Sequence, residues 1–267
     1  MNVTFRLEQP KDYYTVEALT RDAFWNTHWG GETKICDVHL LVAKLRCCSS
    51  LVPELNVVAV IDDEIVGHII FTKARIIADD GNLSEILTFG PLTVAPDFQG
   101  KGIGRRLMEY TFNIAGDLGY KGVLIFGHPD YYPRVGFRRA AEFGITTSDG
   151  DTFDPLMVYP LYEGALDGVS GKVYLDEVYE NLTQEEALEF DKKFPPRELF
   201  VPTPIGVLLE QLEPKAREAI ELLEIVNLNL FSTKSEREIR QLEGIDNAAV
   251  EVIRKVMKKY EVKWGRP

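Results

Sequence analysis

Gly90-Pro-Leu-Thr-Val-Ala-Pro-Asp-Phe-Gln99-Gly-Lys-Gly-Ile-Gly104 is the stretch on which the fold turns. Residues 86–94 read as a strand, and Ile103, Leu107, Tyr110, Ile114 and Leu118 then recur at helical spacing until Gly119. The string is therefore a loop that hands a strand over to a helix. A helix N-terminus leaves its first N–H groups without intrahelical partners and carries partial positive charge, so it accepts anions. Glycines at 100, 102 and 104 permit a tight turn and close approach of the backbone to such an anion, while Lys101, Arg105 and Arg106 add positive charge. The expected occupant is a pyrophosphate.

Two other anion loops do not fit the spacing. A dinucleotide-binding loop has Gly-x-Gly-x-x-Gly and an acidic residue closing the next strand, whereas these glycines stand two apart and the next strand ends Ile125-Phe126-Gly127. A Walker loop has Gly-Lys-Ser/Thr, and Gly104 is followed by Arg-Arg. The plain alternative is a turn that only connects strand to helix.

Working outward, residues 3–7 alternate as a strand and Pro10 opens a helix carrying Val16, Leu19 and Ala23. A second helix is predicted over 37–48, with Leu41 and Leu45 on one face. Residues 56–61 and 65–71 are β-branched runs separated by Asp62-Asp63-Glu64, a hairpin signal. Residues 123–126 form a short buried strand. A one-turn helix or tight loop is predicted over 129–135, and short strands follow up to about Tyr159. Strand, loop, helix and strand in that order imply a crossover between parallel strands.

These residues resemble the GNAT family of N-acetyltransferases. Its Gln/Arg-x-x-Gly-x-Gly/Ala signature is matched by Gln99-Gly-Lys-Gly102-Ile-Gly104, and its Tyr-x-x-x-Gly-Phe element by Tyr132-Pro-Arg-Val-Gly136-Phe137. Gly127-His-Pro-Asp-Tyr-Tyr-Pro-Arg-Val-Gly-Phe137, Val52-Pro-Glu-Leu and Val66-Gly-His-Ile are similar to a bacterial subgroup of predicted acetyltransferases. The resemblance spans residues 1 to about 180. It implies an α/β fold with a mixed, centrally splayed sheet flanked by helices, and acetyl-CoA as co-substrate. It places the cofactor on Leu92 and Val94 through main-chain groups, and on Gln99, Gly100, Lys101, Gly102, Ile103, Gly104 and Arg105. It makes Tyr132 the general acid. A phenol with an ordinary pKa of about 10 keeps its proton where a thiol of about 8.5 begins to lose it, so it can supply a leaving thiolate. Tyr131 is the neighbour most easily confused with it. Glu85, His68 and His128 are base candidates by segment only, and attack by an amine already neutralised by water needs none of them.

After Gly168 the texture changes. Thr183-x-x-Glu186 heads a short polar helix as a capping box, and residues 195–204 hold four prolines and read as a linker. From 205 the pattern is helical: Leu208, Leu212, Ala216, Ala219, Leu222 and Leu223 form one stripe. Thr233-x-x-Glu236 caps a further helix closed by Gly244, and a last helix starts near Asn247. The expected domains are 1–180, a capped helix and linker over 181–204, and an all-α domain over 205–267. Residues 242–253 resemble the second hairpin of helix-hairpin-helix modules, and the tail resembles the C-terminal domain of the bacterial RNA polymerase α subunit. Asp246 stands where such a hairpin meets phosphate. The basic residues Arg254, Lys255, Lys258, Lys259, Lys263 and Arg266 read first as a solvated or docked face, and second as a surface for a protein or nucleic acid. An acyl-CoA sensor with this tail as its output is the alternative to an enzyme, and dimerisation is a further role for the tail.

Composition bounds these readings. The 267 residues are 45% hydrophobic and 27% charged, enough apolar material for a core without a metal or disulfide staple. Formal charge is −12, which repels nucleic acid and anionic membranes and favours a cationic acceptor, a small-molecule or protein amine. Cys36, Cys47 and Cys48 form no disulfide framework, and the four histidines have no metal-ligand spacing. No signal peptide or membrane span is legible, so a reduced, cytoplasmic protein without metal is expected.

Overall fold

The runs flanking Asp62-Asp63 pair as a hairpin, and both aspartates adopt positive φ, 47° and 67°, as a tight primed turn requires. The computed structural model describes residues 2–25, 35–198, 202–262 and 264, so Lys263 and Arg266 of the basic tail lie outside it. Residues 2–25 and 35–197 form one compact unit, and 198, 202–262 and 264 a second.

The first unit runs β1 (Thr4–Leu7), α1 (Tyr13–Phe24), α2 (Val38–Leu45), β2 (Val57–Ile61), β3 (Glu64–Ile69), β4 (Phe71–Ile77), β5 (Leu83–Phe89), β6 (Thr93–Val94), α3 (Ile103–Asp117) and β7 (Gly122–Phe126). It continues with β8 (Arg138–Arg139), β9 (Ile145–Thr146), β10 (Leu156–Pro160), β11 (Gly171–Tyr174) and α4 (Gln184–Asp191). The strands make a four-stranded sheet, β1-β2-β3-β6, and a seven-stranded sheet, β8-β10-β7-β5-β4-β11-β9.

Two segments expected as single strands are each two. The run 65–71 breaks at Ile70, where the chain leaves one sheet for the other. The run 86–94 breaks at Gly90-Pro91-Leu92 and crosses back. Pro91 has no N–H to continue a ladder, and the Gly90 N–H turns instead to the Ile70 carbonyl at 2.9 Å. The two crossings are therefore tied together. β5 lies parallel to β7, with Thr88 opposite Leu124, whereas among the described residues β6 pairs only with β3. The sheet forks between β6 and β7.

On one face of the fork, Leu107, Met108 and Phe112 of α3 pack with Ala59, Phe71, Leu87, Val123 and Ile125. Burial of each such side chain contributes roughly 1.5–3 kcal/mol. Ala74, Ile76, Ile86, Leu124 and Val158 form a second cluster on the alternate positions of the same strands. A charged network is sealed beneath Tyr13: Arg46 pairs with Glu8 at 2.6 Å and Glu17 at 2.5 Å, and its guanidinium lies 4.3 Å from the Tyr13 ring centre. Removing one partner of such a group costs about 3–5 kcal/mol, because a buried charge is stranded. Thr183 and Glu186 make the expected capping box, and α4 packs in this unit through the Arg21–Asp191 pair at 2.6 Å.

The second unit holds α5 (Gly206–Leu209), α6 (Pro214–Glu221), α7 (Leu228–Phe231), α8 (Glu236–Arg240) and α9 (Asn247–Lys259) around Leu208, Phe231, Ile239, Ile253 and Val256. Two expectations change here. Leu222 leaves the stripe, 78% exposed just past the end of α6, and the box that caps α8 is Ser235 with Glu238, not Thr233 with Glu236. Asp246 caps α9, accepting from the Ala249 N–H at 2.8 Å, so a carboxylate already holds the place open to an anion. Among the described residues no helix is long and apolar enough to cross a membrane, and no cluster of His, Cys, Asp and Glu is placed to hold a metal.

Candidate active site

The loop between β6 and α3 has the geometry its glycines suggest. Gly100 and Gly102 take φ of 74° and 78°, the left-handed region that only glycine enters freely. Among the described residues, the N–H groups of Gly100, Lys101, Gly102, Ile103, Gly104 and Arg105 have no partner in the chain, and the α3 ladder starts with Arg106 N–H on the Gly102 carbonyl at 3.1 Å. A Cβ at Gly100 or Gly102 would meet nothing within 4 Å, so the space over the loop is open. Unpaired N–H groups, a helix N-terminus and open space together form a cradle of the right kind for a pyrophosphate.

Neighbouring residues hold this loop against the fork. The Gln99 side-chain amide donates to the Val94 carbonyl at 3.2 Å, closing the loop onto β6. Leu92 and Val94 lie beside Gly104, their methyl carbons 3.5 and 3.6 Å from where its Cβ would stand. Leu92 sits between the two sheets, and neither its N–H nor its carbonyl is paired among the described residues. Lys101 is exposed, its ammonium 4.8 Å from the Phe98 ring centre, and Arg105 is drawn to Glu109 on its own helix at 2.7 Å.

Tyr132 opens a 3₁₀ turn, Tyr132–Val135, which Gly136 ends at φ 100°. Its ring is half-buried against Phe137 at 5.2 Å, Tyr131 at 5.0 Å and Phe89 at 6.2 Å between centres. Phe89 is the last residue of β5, so this contact sets Tyr132 at the mouth of the fork. Burial, with a smaller contribution from Tyr131, pushes its phenol above the ordinary tyrosine value, and among the described residues the hydroxyl has no hydrogen-bond partner. Gly127 makes room for the ring: a Cβ there would stand 2.4 Å from Cδ2 of Tyr132.

A cleft of about 420 Å³ runs along α3, walled by Met108, Phe112 and Tyr159 and lined by Arg105, Asn113 and Arg134. Arg134 lies within the second motif, yet its place in this cleft required α3 and the turn to be brought together; it has no acidic partner among the described residues.

The base candidates separate. His68 is fully buried, its Nε2 2.8 Å from Asn56 Oδ1, and burial with the field of Arg46 lowers its pKa to about 3. Glu85 pairs with Lys73 at 3.1 Å near the other end of β5. Only His128 is exposed near Tyr132, at the foot of its turn, where its carbonyl accepts the Tyr132 N–H at 3.2 Å.

Residues 53–139 match the model of the acetyltransferase (GNAT) domain. YjhQ of Escherichia coli K12, an uncharacterised N-acetyltransferase, is 34% identical over 139 residues, which cover 52% of this chain and 71% of YjhQ. The chain belongs to the GNAT family. It is an N-acetyltransferase. YhbS, another N-acetyltransferase of Escherichia coli K12, is 29% identical over 173 residues, 64% of this chain and 95% of YhbS. The crystal structure of YhbS in complex with CoA aligns with a TM-score of 0.58 at 26% identity, over 68% of this chain and 94% of that one. A GNAT acetyltransferase of Brucella melitensis, solved with acetyl-CoA, shares the fold with a TM-score of 0.52 at 23% identity, over 67% of this chain and 98% of its own.

Proposed function

We propose that this GNAT protein transfers the acetyl group of acetyl-CoA to a primary amine by direct attack in a ternary complex. The observation that carries the reading is the run of unpaired N–H groups from Gly100 to Arg105 at the mouth of the forked sheet. The pyrophosphate of acetyl-CoA lies on these groups, and Arg105 and Arg134 in the α3 cleft supply charge for its phosphates. The pantetheine arm pairs with the free main chain of Leu92 and with Val94, as a short added strand would. This directs the thioester into the fork.

In the reaction the amine lone pair adds to the thioester carbonyl carbon, and main-chain N–H groups at the fork stabilise the oxyanion. As the tetrahedral intermediate collapses, the C–S bond breaks and the sulfur takes a proton from the Tyr132 hydroxyl. The ammonium formed on the acceptor loses its proton through water, which restores the phenol. A raised phenol pKa keeps Tyr132 protonated wherever the amine is partly neutral. With His68 sealed and Glu85 ion-paired, solvent and the exposed His128 are left to neutralise the amine before it attacks.

The test is release of free thiol from acetyl-CoA with a panel of amines, for the native chain and Tyr132→Phe. The substitution is expected to lower kcat by about 100-fold, the usual worth of a positioned acid, while acetyl-CoA binding persists. Unchanged turnover removes Tyr132 from the chemistry.

A further inference from the structure

The face of the fork opposite α3 carries two large aromatic side chains that the fold does not bury. Phe126, the last residue of β7, is 47% exposed, and Phe153, just before β10, is 45% exposed. Their ring centres are 5.8 Å apart and the planes tilt by 33°. The backbone fixes both. Phe126 stands opposite Leu156 in the β7–β10 ladder, and the Leu156 N–H returns to the Phe153 carbonyl at 3.0 Å. Strand alternation aims Phe126 away from the α3 core, because Ile125 packs into that core.

The level of the pair along the sheet matters most. Leu124 is opposite Thr88 in the parallel β5–β7 ladder. Two residues further on, β7 reaches Phe126 and the neighbouring chain reaches Gly90, where β5 ends and the fork opens. The rings thus stand beside the fork, on the face left open when the donor enters from α3. Asp149, Asp151 and Asp154 sit exposed on the segment carrying Phe153, and among the described residues only Asp154 has an ion-pair partner, Arg139 at 3.2 Å.

We infer that Phe126 and Phe153 form the wall against which the acceptor lies, and that the acceptor is a small primary amine bearing an aromatic ring on a short chain. This rests on the acyl-transfer reading above. A pair of exposed aromatic faces favours an aromatic partner, which gains offset or edge-to-face contact in addition to buried area. The loop carboxylates draw the ammonium form toward the same mouth before it loses its proton.

The experiment compares phenethylamine with propylamine in the thiol-release assay, for the native chain, Phe126→Ala, Phe153→Ala and Phe153→Leu. Acetyl-CoA affinity serves as the check that each variant is folded. In parallel, phenethylamine is titrated calorimetrically into the protein loaded with CoA, which reports binding without turnover. The native chain is expected to prefer phenethylamine, and each alanine variant to lower the phenethylamine-to-propylamine ratio of kcat/KM by about ten-fold, with Phe153→Leu intermediate. Calorimetric affinity should fall in parallel. A native ratio near one, or a ratio and affinity unchanged within about two-fold in both alanine variants, overturns the aromatic wall even if amines are acetylated. Weakened phenethylamine binding in the variants, with no thiol release from any amine, would keep the wall and sink the transfer reading instead.

Discussion

Gly127→Ala tests whether Tyr132 acts from the position described. The backbone at Gly127 is not in the left-handed region, so alanine adopts it without backbone strain and the effect is steric alone. Its Cβ would stand 2.4 and 2.5 Å from Cδ2 and Cε2 of Tyr132 and 2.8 Å from Cδ1 of Ile125. Ordinary carbon contacts lie at about 3.5–4.0 Å, so the tyrosine ring must retreat by roughly 1 Å. Ile125 is nearly buried in the α3 core and cannot yield instead. A displacement of that size at a reacting group costs about 100-fold, or ~2.7 kcal/mol of transition-state stabilisation. Overpacking itself costs about 1–3 kcal/mol, a loss of several degrees in Tm that leaves the protein folded. The assay is a double-mutant cycle with Tyr132→Phe, reading kcat for thiol release and the dissociation constant of acetyl-CoA. Gly127→Ala should lower kcat in the native background, do little more once Tyr132 is phenylalanine, and leave acetyl-CoA affinity near native. Equal losses in both backgrounds would refute the steric route through Tyr132.

Gly102→Ala places a methyl on a residue with φ 78° at the open face of the loop. It should weaken acetyl-CoA by about ten-fold or more in calorimetry, since left-handed strain of about 1 kcal/mol adds to a collision with the phosphate; native affinity would remove the loop from the donor site. Acid should destabilise the first unit through its buried histidines. Burial lowers His39 to about 4 and His68 to about 3, so both are neutral when folded. Below about 6.5 the unfolded chain takes up protons that the folded chain does not, so stability falls with pH from there toward 4. Thermal melts followed by circular dichroism between pH 7.5 and 4.5 should show Tm falling, and less steeply in His39→Gln; an equal slope in that variant would exclude His39 as a source.

What the sequence revealed depended on how local the signal was. The glycine loop was legible because its left-handed turns and unpaired N–H groups arise within a few consecutive residues, and the same locality holds for the Thr183 box and the Asp62-Asp63 turn. The fork was not, although its marks were present. Gly90-Pro91 is a breaker pair, and reading 86–94 as one strand overrode it with hydrophobic pattern. Helical spacing likewise admitted Leu222, because periodicity cannot tell where α6 stops. Thr183 and Thr233 carry the same box pattern, yet α8 is capped by Ser235, two residues later than the second of them suggests. The Arg134 side of the cleft and the Phe126–Phe153 pair were beyond reach for a different reason. Each joins residues from separate elements, and only strand register and helix packing bring them together.

The tie between Gly90 and Ile70 has a consequence for how such an enzyme can change. On the proposed reading the pantetheine arm is met by main-chain groups whose positions follow from where two strands switch sheets, so exchanging the Leu92 or Val94 side chain alters that contact little as long as the crossings survive. The acceptor wall inferred on the opposite side is built of side chains on a strand end and a loop, open to replacement one at a time. On that reading drift retunes which amine is accepted while the donor stays the same, and the forked backbone is the part that cannot drift.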